Sequence, residues 1–144
     1  MSARGTHLED QGRAAAAEAA ALVRRAATLP GCAAGERAPT PWVAQQVTSA
    51  LVGLGARRAR RCRHLRGDAP AVVLAFAWRP GRFYCPRCAR AEARRVQGTA
   101  EDRRCDVCGG EADVLHPDLV AVSSLLFVYG ACRGCLARTR GVAA

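Results

Sequence analysis

Cys62-Arg63-His64, Cys85-Pro86-Arg87-Cys88, Cys105-Asp106-Val107-Cys108 and Cys132-Arg133-Gly134-Cys135 are the four short runs on which the fold turns. A Cys-x-x-Cys run aims two sulfurs at one point, which suits tetrahedral metal ligation. With the Cys-x-His run there are eight candidate ligands: Cys62, His64, Cys85, Cys88, Cys105, Cys108, Cys132 and Cys135. Eight N and S donors close two four-coordinate sites, so two structural Zn2+ ions are expected. Such closed sites leave no open position for a substrate, and the chain is expected not to be an enzyme.

The segments between these runs repeat one plan. After Cys62 and His64, residues 71–78 alternate Val72, Leu74, Phe76 and Trp78 with the smaller Val73, Ala75 and Ala77, as a strand does. Arg79-Pro80-Gly81-Arg82 places Pro and Gly where a type II turn wants them. The chain returns through Phe83 and Tyr84 to Cys85, and residues 89–96 read as a helix with its arginines outward. In the second copy, Gly109 and Gly110 allow a tight knuckle after Cys108. Residues 119–129 suggest a hairpin turning near Ser123 and Ser124, and a short helix is expected after Cys135.

Knuckle, hairpin, then Cys-x-x-Cys at a helix start: over residues 62–140 this plan resembles treble-clef zinc fingers twice, or zinc ribbons more loosely. The implied fold class is a small α+β zinc-stabilised domain of two such units with short hairpins and helices, preceded by one or two N-terminal helices. Spacing leaves three ligand pairings open. The sequential one joins 62, 64, 85 and 88, then 105, 108, 132 and 135. A nested one joins the first run to the last, and an interleaved cross-brace is the third.

Outward from this core, residues 1–38 are Ala- and Arg-rich, with a loosely held or partly disordered helix over 9–28 that ends at Pro30-Gly31. Cys32 follows as a thiol outside the metal sites. Residues 39–61 hold a better-specified helix and a basic connector. Thr40 is a suitable N-cap and Pro41 suits the first turn. Val43, Val47, Ala50, Leu51 and Leu54 form a helical stripe expected to pack on the metal-binding region, with a partner contact as the alternative.

The net charge is +10, every cation is Arg, and aromatics are 5%. Seven thiolates and two zinc ions bring the charge to about +7, still basic. That favours an acidic partner, either nucleic acid (DNA or RNA) or an acidic protein. The candidate nucleic-acid surface is Arg57, Arg58, Arg60, Arg61, Arg63 and Arg66, with Arg87, Arg90, Arg94 and Arg95 on the helix. The plainer alternative for residues 57–66 is a solvated connector. No apolar run is long enough for a membrane span and no secretory signal is recognised, so a reducing cytoplasmic setting is expected. Two other functions compete. One is a protein-interaction adaptor using Trp42, Trp78 or residues 125–129. The other is a thiol redox switch.

Overall fold

The computed structural model describes residues 3–30, 32, 38–56, 58–65, 67 and 70–141, with the backbone alone for residues 3–6. Arg57, Arg66 and Gly31 lie outside the described residues. The elements run α1 (Ala3–Ala26), α2 (Pro41–Gly55), β1 (Arg60–Arg61), β2 (Val73–Phe76), β3 (Arg82–Tyr84), α3 (Pro86–Val96), β4 (His116–Val122), β5 (Leu125–Ala131) and α4 (Leu136–Arg140). Short 3₁₀ turns cover Arg63–Leu65, Ala100–Arg103 and Arg133–Cys135. The result is a small α+β fold.

Both expected hairpins form. The first turns at Arg79–Arg82, where the Arg82 N–H donates to the Arg79 carbonyl at 3.2 Å and Gly81 takes φ 77°, as a type II turn requires. The second pairs Val122 with Leu125 across the two-residue loop Ser123-Ser124. The sequence does not reveal that the hairpins join. The strand order is β1-β3-β2-β5-β4, with β2 parallel to β5 from Val73↔Leu125 to Phe76↔Val128. The two units therefore share one five-stranded sheet.

That parallel pair lies at the centre, and it is covered on both sides. One face of β2 and β5 presents Val73, Ala75, Leu125, Phe127 and Tyr129 to Val43 and Val47 of α2. The other presents Leu74 and Leu126, with Val72 just ahead of β2, to Ala19, Leu22 and Val23 of α1. This two-sided cover explains why β5 reads as a near-continuous apolar run. Leu125, Leu126, Phe127 and Tyr129 are thus core residues, and the adaptor surface expected over 125–129 is not on the outside. The apolar interior is also larger than the low aromatic content suggests. Small residues supply it: Ala15 and Ala19 of α1 are buried, and Ala19 is wholly enclosed.

Two details of the helices depart from expectation. Thr40 does occupy the N-cap of α2, but its side chain makes no capping bond. Its hydroxyl instead donates to the Arg138 carbonyl, tying α2 to α4. In the α2 stripe Val43 and Val47 are buried, while Leu51 is 42% exposed and faces away. No helix among the described residues is long and apolar enough to cross a membrane.

Candidate metal centres

Parallel pairing of β1 with β3 (Arg60↔Arg82, Arg61↔Phe83) brings Cys62 and Cys85 out of the same end of the sheet. Cys62 is held by its N–H to the Phe83 carbonyl at 2.9 Å, and the 3₁₀ turn that follows swings His64 back. Cys85 is the N-cap of α3, so Cys88 sits in the first turn, where the positive helix end favours thiolate. The ligand atoms of Cys62, His64, Cys85 and Cys88 all lie within 4.8 Å of one another. His64 Nδ1 is 3.2 Å from Cys88 Sγ.

The second centre repeats the design from different parts. A bridge between Arg104 and Glu111 closes the knuckle, and Gly109 takes φ 73° to turn it. The Cys105 N–H donates to Gly110, and the Gly109 N–H donates back to Cys105, both at 2.8 Å. β5 then delivers Cys132, and the 3₁₀ turn after it delivers Cys135. The sulfurs of Cys105, Cys108, Cys132 and Cys135 lie within 4.8 Å of one another. Cys108 and Cys132 are 4.0 Å apart, close to the edge of a tetrahedron with metal–sulfur bonds of about 2.3 Å.

So the eight sequence-derived ligands gather into two groups, each able to hold a metal ion, and the grouping is the sequential one. The nested and cross-braced pairings are not what the fold makes. Strand direction gives the reason. β3 runs antiparallel to β2, whereas β5 runs parallel to it. Cys85 therefore leaves one end of the sheet and Cys132 the other, about 20 Å apart at roughly 3.3 Å per residue. Cys32 belongs to neither group and packs against the Val72 and Leu126 cluster.

The same backbone bond recurs in both centres. The Cys85 N–H donates to Cys62 Sγ and the Cys132 N–H donates to Cys105 Sγ, each at 3.2 Å. Burial raises both acceptor thiols, but these and neighbouring N–H donors outweigh it. The Cys62 thiol falls below its usual range and Cys105 falls to about 7. Their partners go the other way. Burial, then the surrounding sulfurs, push Cys88 up to about 11 and Cys135 up to about 12. Converging thiolates repel, and a divalent cation at the centre removes that penalty.

Sequence reasoning missed Asp106. Its N–H donates to the Gly130 carbonyl at 2.9 Å, and its carboxylate accepts the Gly130 N–H at 2.6 Å. It thereby clips the second knuckle to β5, and burial raises its carboxyl to about 6 against that hydrogen bond. A polar residue inside a Cys-x-x-Cys run is the only sequence signal for it.

The described arginine candidates are all exposed. Two are engaged within the fold. Arg61 donates to the Leu54 carbonyl at 2.7 Å, near the end of α2. Arg95 pairs with Glu92 at 2.8 Å and with Glu101 at 3.6 Å, in a network that also holds Arg79. Comparison with family models, with curated proteins and with solved structures finds no match for this chain.

Proposed function

We propose that this protein is a non-enzymatic binding module, in which two structural zinc ions fasten a pair of treble-clef-like units and the first unit contacts nucleic acid through arginine. Zinc is the ion of choice because sets of four thiolates, or three thiolates and an imidazole, are tetrahedral and soft. Four protein ligands per ion leave neither open for catalysis. Thiolate ligation suits a reducing compartment such as the cytoplasm.

The observation that carries the reading is how charge divides along the chain. Residues 57–90 contain ten arginines against one carboxylate, Asp68, whereas residues 91–144 hold seven arginines and seven acids. Nearly all of the net charge therefore belongs to the first unit and the connector that leads into it. Its metal ligands also interleave with cations. Arg63 lies between Cys62 and His64, and Arg87 lies between Cys85 and Cys88, so ligation gathers exposed positive charge at one spot. Concentrated Arg of this kind suits phosphate oxygens.

Titration of the zinc-loaded chain against labelled nucleic acid tests this. Affinity should fall linearly on a log–log plot as salt rises, and removing metal with a chelator should abolish binding. Binding that is absent at low salt, or indifferent to salt, overturns the reading.

A further inference from the structure

We infer that the nucleic acid taken by this surface is double-stranded B-form DNA, met by the outward face of α3 through Arg87, Arg90 and Arg94. The inference rests on the nucleic-acid reading above and narrows it.

Helix α3 separates its faces sharply. Ala89 and Val96 are buried against the protein. Positions 87, 90 and 94 fall within about 60° of one another on the opposite side, at 3.6 residues per turn. All three arginines are exposed. Ala91 and Ala93, exposed beside them, keep the helix slim there, while the exposed Arg95 pairs with Glu92. The stripe from Arg87 to Arg94 is about 10 Å long at 1.5 Å per residue. A helix with its side chains is about 10–12 Å across, which fits the B-DNA major groove, about 12 Å wide. The deep, narrow major groove of an RNA duplex does not admit one.

Cations flank this helix. β1 and β3 place Arg60 directly beside Arg82 at the sheet edge, both exposed. Like charges in register oppose pairing, and a phosphate chain lying across them reverses the sign. Arg58 and Arg63, also exposed, stand close to them in the chain, and Arg63 lies between two residues of the first candidate centre.

The aromatic residues disfavour a single strand. Proteins that hold single strands stack bases on exposed rings. Here all seven aromatics are buried or half-buried. Phe76 stacks on Trp78 with centroids 4.4 Å apart, and Trp42 meets Tyr129 edge-on at 5.3 Å. The surface offers exposed charge to a backbone but no fully exposed ring to a base.

The test uses the full zinc-loaded chain and three probes of one sequence: duplex DNA, single-stranded DNA and duplex RNA. Fluorescence anisotropy should rank duplex DNA tightest. Arg87→Ala, Arg90→Ala and Arg94→Ala combined should weaken duplex binding about tenfold or more, and flatten the log–log salt slope by about 0.9 per lost contact. Arg24→Ala, Arg25→Ala and Arg138→Ala combined remove the same charge elsewhere and should leave affinity nearly unchanged. Metal content and circular dichroism confirm that each variant folds. The single variant Arg90→Glu carries the test if the triple variant does not fold. Single-stranded DNA or duplex RNA binding as tightly as duplex DNA overturns the inference but leaves nucleic-acid binding standing. So does a control triple that weakens binding as much as the α3 triple. Failure of all three probes to bind overturns the nucleic-acid reading itself.

Discussion

Asp118 is fully buried on β4, accepts the Tyr129 hydroxyl at 3.1 Å and lies 3.6 Å from Arg140 Nε of α4. Tyr129 faces it directly across the β4–β5 ladder. Removing the carboxylate leaves a hydroxyl and a guanidinium buried with less satisfaction. Asp118→Ala should therefore cost about 3 kcal/mol or more in urea denaturation of the metal-loaded protein. Tyr129→Phe should cost only about 1 kcal/mol. Equal effects would mean that the charge adds nothing beyond the hydrogen bond. The metal ligands yield a second prediction at this scale. With Cys88 near 11 and Cys135 near 12 in the metal-free clusters, ligation must expel thiol protons. Protons compete with metal, so affinity at both sites should rise from pH 6 to pH 8, as competition with a chromophoric chelator would measure. The candidate ligands were legible in the sequence because cysteine spacing marks them, and the structure gathers them into two clusters. The buried role of Asp118 was not, because its partners come from β5 and α4.

Among the elements, the β4–β5 hairpin shows where local sequence suffices. A Ser-Ser break in an apolar run located its turn, and the structure places the turn there. The fit is imperfect, because Ser123 takes φ 54°, which a side chain disfavours. Ser123→Gly should relieve that strain and raise stability by up to about 1 kcal/mol, seen as a higher melting temperature. A lower melting temperature would show that the serine compensates by some other contact. Helix α3 was also legible, apart from its first turn. The sequence predicted residues 89–96, whereas the helix begins at Pro86. Proline at a first turn and cysteine as N-cap extend it, since Cys85 Sγ accepts the Cys88 N–H. Helix α1 was under-read. Its docking relies on Ala15, Ala19 and Val23, and a run of alanines does not announce which of them will be enclosed.

For the molecule as a whole, two candidate metal centres at opposite ends of one sheet should behave as separate sites on a shared scaffold. Cys85→Ala and Cys132→Ala should each lower metal content from two ions per chain to one. The first centre has an exposed imidazole and three half-buried sulfurs, while the second buries Cys105 and Cys135. A chelator should therefore strip the first centre sooner, with stopped-flow release giving two phases. Cys85→Ala should remove the fast phase and Cys132→Ala the slow one. A single phase for the native protein would mean the two sites open together.

The sequence by itself determined the candidate ligands, the two hairpins and the helix that follows each, because spacing, turn residues and two-residue alternation act over a few positions. It also determined the concentration of charge in residues 57–90. Only the tertiary structure decided which ligands share a centre, because that depends on strand direction: β5 runs parallel to β2 and β3 antiparallel, so the sites part to opposite ends. It likewise decided that α1 and α2 clad the two faces of one sheet. Contacts between residues so distant in the chain are settled by competition among whole surfaces, and no local pattern records the outcome.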